Sequence, residues 1–423
     1  ILYGVGGAVG ILLTAWLFAP LRQLRFMTMS EELCYYVGAN QWVKHCSAVL
    51  IFLASLGWLG AHIIGGALYL SWATGIELLY AKLLIAGAFT LYVMIGGYKA
   101  VVWTDSLMAV LLFCGFIVMS AAAVHVSGGI APLADLVAEA LHSGQMKSLP
   151  LLPAISLAVV VAVGVMATPS FRQRIYAARS VSTVRRSFLL SGGLYLLFAT
   201  LPAVIGITAF SLAPELDNHQ FAFSTVAVML LPAALAMLVL LAGLSATLSS
   251  ASSDAIAAVS VLIRDLYQAV TGQMPPVNKA VRYARLAVLV VSGCALLLAL
   301  LSDDLISYIS NMIATLIAGM FVVAVLGRFW HRLNWQGALA AMLTAVFTSL
   351  LLLSQPLWLA LWGNPCIPAV SCAFFAAVLV SLLTPASTVS REVALQRITA
   401  QRELNPVVLQ EQTGRPVTLE QRY

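Results

Sequence analysis

Residues 240–267 have the sequence LLAGLSATLSSASSDAIAAVSVLIRDLY, an apolar segment with a polar seam. The segment is long enough to cross a bilayer as a helix, because about 20 apolar residues span the hydrocarbon core. Four serines and Asp254 crowd its middle. A carboxylate at that depth costs roughly 2.5–3.5 kcal/mol on insertion scales. We therefore expect these polar groups to face protein, water or an ion rather than lipid.

The rest of the chain has the composition of an all-α polytopic membrane protein. Of its 423 residues, 61% are hydrophobic and 9% are charged, whereas soluble domains carry about 25% charged residues. The apolar runs suit helices and are too long for barrel strands. A membrane domain is predicted over residues 1–384 and a tail over residues 385–423. The eleven predicted spans are 1–19, 47–72, 78–97, 104–126, 152–170, 187–212, 232–263, 281–301, 305–327, 336–354 and 366–384.

The basic residues predict the orientation of these spans. With alternate connections taken as cytoplasmic, 20 of the 22 Lys and Arg residues fall on the cytoplasmic side, and only Lys82 and Lys147 fall on the other. This distribution follows the positive-inside rule and places the C-terminus in the cytoplasm. The net charge of +6 therefore reflects membrane orientation and does not indicate a nucleic-acid partner.

Two other patterns are interpreted as packing rather than chemistry. The six cysteines show no CxxC spacing and are expected to be reduced. The glycines of GVGGAVG, residues 4–10, resemble a phosphate loop, but the surrounding apolar sequence favours close helix packing.

The polar seam offers the oxygen ligands that a hard cation such as sodium prefers. Helix positions three and four apart share a face, so the serines form two neighbouring polar faces. One ligand group comprises the carbonyl of Ala246 and the hydroxyls of Ser249 and Ser250. The other comprises the hydroxyls of Ser249, Ser252 and Ser253 with a carboxylate from a neighbouring helix. Serines in spanning helices also donate back to the preceding turn or join helices, and this alternative stays open.

Five further polar positions are candidates for function. Asp105 at the start of the fourth span either caps the helix or guards the inner exit of an ion. His62, Ser310 and Asn311 lie inside spans, where they either contact a solute or form hydrogen bonds between helices. Asp254 either faces a polar vestibule or carries a proton.

The fifth span ends in MATPSFRQRIYAARS, residues 166–180. Pro169 predicts a helix break, because proline removes a backbone donor. A discontinuous helix frees backbone groups for solutes, although a simple helix end is the alternative. The arginines that follow are interpreted as an orientation signal. The tail after Pro385 is expected to form a surface helix followed by disorder.

Four stretches resemble the sodium:solute symporter family, which includes sodium–glucose, proline, pantothenate and sialic acid transporters. They are GGYKAVVWTDSLMAVLLF (96–113), PSFRQRIYAARS (169–180), LAGLSATLSSASSDAIAAVSVLIRDLY (241–267) and VLGRFWHR (325–332). The resemblance implies a leucine-transporter-type fold of two inverted repeats, with solute and sodium near the midplane. It also implies sodium-coupled transport of a small organic solute by alternating access, in the inner membrane of a bacterium.

The resemblance assigns roles by position. The first ligand group matches the main sodium site of the family. The second group, completed by Asp105, matches the second sodium site of some members, so one or two ions are expected. Ser310 falls where some members place a polar solute contact, and His62 falls near a position often held by glutamine.

Family members usually have two further spans ahead of the first one here, the second being a broken helix that contributes to the main sodium site. We therefore expect the chain to be N-terminally truncated. A symporter-like sensor or receptor is the alternative function, although the tail is too short for a signalling domain. An enzyme is not expected, because Asp303 and Asp304 lack a second acidic motif to hold a metal.

Overall fold

The fold is described from a computed structural model of the chain. It describes the backbone of residues 1–144, 149–216, 218–272 and 275–403, while the side chains of residues 96–106, 277 and 402–403 lie outside the described part. The regular structure of these residues is helical, with no strand. The α-helices are α1 (Leu2–Leu17), α2 (Met29–Tyr35), α3 (Gln41–Thr74), α4 (Leu78–Val126), α5 (Ile130–His142), α6 (Leu151–Ala167), α7 (Pro169–Ala177), α8 (Val181–Phe198), α9 (Thr200–Leu212), α10 (Ala222–Leu230), α11 (Ala233–Val261), α12 (Gln268–Thr271), α13 (Ala280–Ala299), α14 (Leu305–Met312), α15 (Ala318–Phe329), α16 (Trp335–Leu353), α17 (Pro356–Trp362), α18 (Cys366–Leu383) and α19 (Arg391–Glu403).

The predicted all-helical, polytopic architecture is confirmed. Nine helical segments of the described residues are long and apolar enough to cross a membrane. A tenth span forms if α6 and α7, which are bent by 41° relative to each other, are counted together. The remaining predicted span, residues 1–19, corresponds to α1, which has 16 residues and is shorter than the usual ~20.

The third and fourth predicted spans, residues 78–97 and 104–126, are both present. They correspond to the two apolar stretches of α4, Leu78–Ile95 and Leu107–Val126. The connection expected between residues 97 and 104 falls where the side chains lie outside the described part.

The break predicted at Pro169 is present. Helix α6 ends at Ala167, and Pro169 is the first residue of α7. The Thr168 hydroxyl between them donates to the carbonyl of Gly164 over 2.6 Å, and it accepts a hydrogen bond from Trp58 Nε1 over 3.2 Å. The side chain at the break is therefore fixed both to its own helix and to α3.

Small residues bring several helices into backbone contact. A Cβ atom added at Gly6 would lie only 2.2 Å from the carbonyl oxygen of Ala158 on α6. At Gly319 of α15 it would lie 2.7 Å from the Cα atom of Met342 on α16. The interpretation of GVGGAVG as a packing motif is thereby confirmed.

Two hydrophobic clusters organise the helices. The larger one joins residues of α1, α2, α3, α6, α15, α16 and α18. The smaller one joins α3, α4, α11 and α13, and so places the serine-bearing helix α11 inside the bundle. All six cysteines lie in the described part and are free, as expected. Burial raises the pKa of the Cys34 thiol to about 12, so it stays protonated.

The predicted surface helix of the tail is α19. Its residues Ala394 and Ile398 are buried in the larger hydrophobic cluster. Arg391 donates from Nη2 to the carbonyl of Gly327 over 2.6 Å, which ties α19 to α15. Residues 404–423, where disorder was expected, lie outside the described residues.

Candidate ion and solute site

Helix α11 carries the serine seam and ends in a π-helical segment, Leu262–Tyr267. Along the seam, burial alternates. Ser252 and Asp254 are buried, whereas Ser249 and Ser253 are half-buried and Ser250 is exposed. The seam therefore presents one edge to neighbouring helices and another to open space, as its amphiphilic spacing predicts.

The back-bonding alternative holds for one of the four serines. Ser252 donates its hydroxyl proton to the carbonyl oxygen of Ser249 over 2.8 Å. A hydroxyl that donates to its own preceding turn keeps its lone pairs but loses rotational freedom. Ser252 is therefore held against its own helix.

A cavity of about 620 Å³ lies beside the seam and is lined by residues of α1, α3, α6, α7, α8 and α11 and by Ile313. Its size falls within the ~300–1,000 Å³ typical of sites for small molecules. Among the predicted site residues, it brings together His62, Ser250, Ser253 and Asp254. Ala246, Ser249, Ser252, Ser310 and Asn311 lie outside its lining. Aromatic and polar side chains complete the wall, including Tyr3, Trp58, Thr168, Ser170, Phe171, Arg174, Ser187, Ser191 and Tyr195.

His62 and Asp254 form a pair across this cavity. The Nε2 atom of His62 lies 3.1 Å from Oδ2 of Asp254. Their side chains are 18% and 9% exposed. Sequence reasoning selected both residues but did not pair them, since 192 positions separate them. Their contact accounts for a carboxylate inside an apolar helix, because a hydrogen-bonded partner offsets part of its desolvation cost.

Arg174 is the cation of the cavity wall, and the sequence analysis did not predict this role. Its Nη2 atom donates to the hydroxyl oxygen of Ser253 over 3.3 Å. The sequence signal for this role is the two-residue spacing of the arginines in PSFRQRIYA. In a helix, residues two positions apart point in nearly opposite directions, so Arg172 and Arg174 lie on opposite faces of α7.

Arg172 points into the protein instead and fixes α7 from its other face. The Arg172 and Glu32 side chains have no exposed surface, and Arg172 Nη1 lies 3.3 Å from Glu32 Oε1. Tyr36 donates to Glu32 Oε1 over 3.1 Å, and Tyr176 donates to Glu32 Oε2. Burial, followed by the charge of Glu32, raises the pKa of Tyr36 well above its ordinary value, so Tyr36 remains a donor. The Arg172 guanidinium also stacks over the ring of Phe18, 3.4 Å from its centre.

Ser310 and Asn311 do not lie with the predicted site residues at the cavity. Ser310 is buried and Asn311 is half-buried near the end of α14, just before a π-helical segment, Ile313–Ile317. Neither lines the cavity, although Ile313 does. The side chain of Asp105 lies outside the described residues, so its place relative to the serines stays a prediction.

The match to a family model covers most of the chain. The model of the sodium:solute symporter family matches residues 1–345. A sodium/pantothenate symporter of Haemophilus influenzae is 25% identical over 369 residues, which are 83% of this chain and 76% of that protein. A sodium/proline symporter of Salmonella typhimurium is 26% identical over 407 residues, or 91% and 80% of the two chains.

Solved structures share the fold. A sodium-coupled sialic acid symporter in an outward-open state has a TM-score of 0.74 at 19% identity, with 92% of this chain and 84% of that chain covered. The nucleobase-cation-symport-1 transporter Mhp1 has a TM-score of 0.59 at 15% identity, with 93% and 89% covered. The predicted leucine-transporter-type fold is thus confirmed, and nothing in these likenesses supports the sensor alternative. The chain belongs to the sodium:solute symporter family, and its function is the sodium-coupled transport of a solute across a membrane.

Proposed function

We propose that the protein carries sodium and a small organic solute together into a bacterial cell by alternating access between the two faces of the cytoplasmic membrane. Alternating access requires that the ion stabilises the state that binds solute, because only differential binding shifts a conformational equilibrium. The asymmetry of the basic residues supports a cytoplasmic C-terminus.

We assign the sodium ion to the carbonyl of Ala246 and the hydroxyls of Ser249 and Ser250. The observation that carries this assignment is the exposure of the seam, since Ser250 opens into the cavity while Ser249 is half-buried one position away. Oxygen ligands on the border between protein and a polar cavity suit a cation that must bind and leave.

The second ligand group is a weaker candidate for an ion. Ser252 already donates to the Ser249 carbonyl, and Ser253 accepts a hydrogen bond from Arg174. A sodium ion on Ser253 would lie close to this guanidinium, and like charges repel. We therefore propose that the first group is the main sodium site, and we assign Asp105 only to the second.

The solute is proposed to bind in the cavity, where His62 and Asp254 offer a hydrogen-bonding pair and Trp58 offers an apolar surface. A wall that combines hydroxyls, a carboxylate and a guanidinium with aromatic rings suits a small polar organic solute. Ser310 and Asn311 are proposed as contacts of a solute only in a state in which α14 borders the cavity.

The test is sodium-dependent uptake of proline and pantothenate, with a wider solute panel, into proteoliposomes. Ser249→Ala should raise the sodium concentration for half-maximal uptake several-fold and leave the maximal rate at saturating sodium within about twofold, because the variant removes one of several oxygen ligands. Ser260→Ala, on the same helix about three turns further on, is the matched control. Equal sodium dependence in Ser249→Ala and the control would rule out the assigned site.

A further inference from the structure

A group of hydrogen bonds joins three separate segments at one end of the bundle. The Lys82 ammonium on α4 lies 2.7 Å from Asp303 Oδ1 and 3.0 Å from the carbonyl oxygen of Ser302. Gln220, in the 3₁₀-helix His219–Phe221, donates to the Asp303 carbonyl over 3.0 Å and accepts from the Leu305 amide over 3.3 Å. We call Lys82, Gln220 and residues 302–305 the clasp.

The clasp lies at the end of the bundle opposite to the connection between α7 and α8, which borders the cavity. The cavity wall includes Arg174, Ala178 and Thr183, in and beside the connection from α7 to α8. From there α8 and α9 lead away to the connection that contains Gln220. Likewise, α13 begins near the end of α11 and leads to residues 302–305. The cavity therefore extends to one end of the bundle, and the clasp joins the helices at the other end.

The burial of the clasp is strongly asymmetric. The Lys82 side chain is 3% exposed, whereas that of Asp303 is 79% exposed. A buried ammonium without a counter-charge is unfavourable, so Lys82 must either keep Asp303 or reach water. Separating the segments would replace the contact with Asp303 by water around the ammonium.

The backbone of the loop is held as well as its side chains. Asp304 accepts from the Ser307 amide over 2.6 Å and so caps α14. Gln220 binds the residues on both sides of this cap. A movement of the loop away from Gln220 would thus move the start of α14, which continues into the helix segment bordering the cavity at Ile313.

We propose that the clasp closes the outer face of the transporter and that it opens once in each transport cycle. Lys82 and Gln220 are positioning residues for this step, and the proposal rests on alternating access as the proposed function. It assigns a role to Lys82, one of the two basic residues that depart from the positive-inside pattern.

The test measures both faces of the protein at once. A cysteine is introduced at Ala299, which has no exposed surface beneath the clasp, or at Ser187, which lines the cavity. Labelling by a maleimide is followed by mass spectrometry of the peptide that contains the new cysteine. Asp303→Asn removes the counter-charge of the buried Lys82 ammonium, which then gains full hydration only when the clasp opens, so this variant should favour the open clasp.

In Asp303→Asn, labelling at residue 299 should rise about three- to tenfold while labelling at residue 187 falls, the tenfold limit corresponding to about 1.4 kcal/mol. Gln220→Ala should shift both sites in the same directions without any change of charge. Glu215→Gln, an exposed acid in the same connection as Gln220, is the control and should change neither.

Opposite changes at the two sites are the signature of a shift between states, because general loosening would raise labelling at both. Labelling that rises at both sites, or at neither, in both variants would overturn the clasp. Wild-type protein that takes up solute without any dependence on sodium would instead overturn the proposed function, whatever the labelling pattern.

Discussion

Replacement of Glu32 by glutamine should be among the most destabilising single changes in the inner part of the bundle. Glu32→Gln keeps the shape of the side chain but removes the charge that faces Arg172. Both side chains are fully buried and 3.3 Å apart. The Nε, Nη1 and Nη2 atoms of Arg172 have no well-aligned hydrogen-bond acceptor, so the carboxylate charge is what offsets the buried guanidinium.

The magnitude follows from this arrangement. Breaking a buried ion pair by removing one partner costs about 3–5 kcal/mol, because the remaining charge is uncompensated. Tyr36→Phe removes only one hydrogen bond to the carboxylate, for which about 1.5–3 kcal/mol is expected. Since the pair fixes α7, Glu32→Gln should also disturb the position of Arg174 in the cavity wall.

The assay is unfolding of the purified protein in mild detergent by a denaturing detergent, with the free energy of unfolding compared among variants. Glu139→Gln, an exposed acid on the surface helix α5, is the matched control and should change stability by less than about 0.5 kcal/mol. The reasoning is refuted if Glu32→Gln costs no more than Tyr36→Phe, since the buried Arg172 guanidinium would then not depend on the charge of this carboxylate.

Two further predictions concern helix packing and the cavity. Gly6→Ala should destabilise the protein by about 1–3 kcal/mol in the same assay, because the new Cβ would meet the Ala158 carbonyl at 2.2 Å. Gly193→Ala is the control and should not destabilise the protein, because a Cβ there would have no atom within 4 Å. Equal losses of unfolding free energy in the two variants would contradict backbone contact between α1 and α6. Asp254→Asn should raise the KM for solute several-fold in uptake assays, because the cavity loses the Asp254 carboxylate. Asp135→Asn, at an exposed position of α5, is the control and should leave the KM unchanged. A wild-type KM in Asp254→Asn would exclude Asp254 as a solute contact.

Several features follow from the sequence because they depend only on local composition and spacing. The length of an apolar run determines whether a segment can cross a bilayer, so most spans were predicted to within a few residues. The break at Pro169 follows from a missing backbone donor. The grouping of Ser249 with Ser252 and Ser253 follows from helical periodicity.

The contacts that give the cavity its charges were decided by the tertiary structure. His62 and Asp254 meet across 192 positions, and Glu32 and Tyr176 meet across 144. In a soluble protein, the alternation of polar and apolar residues would indicate which helix faces meet. In a membrane protein, the faces toward lipid and toward protein are both apolar, so the sequence carries little record of which helices are neighbours. Only the packed bundle could pair one buried acid with a histidine and another with an arginine.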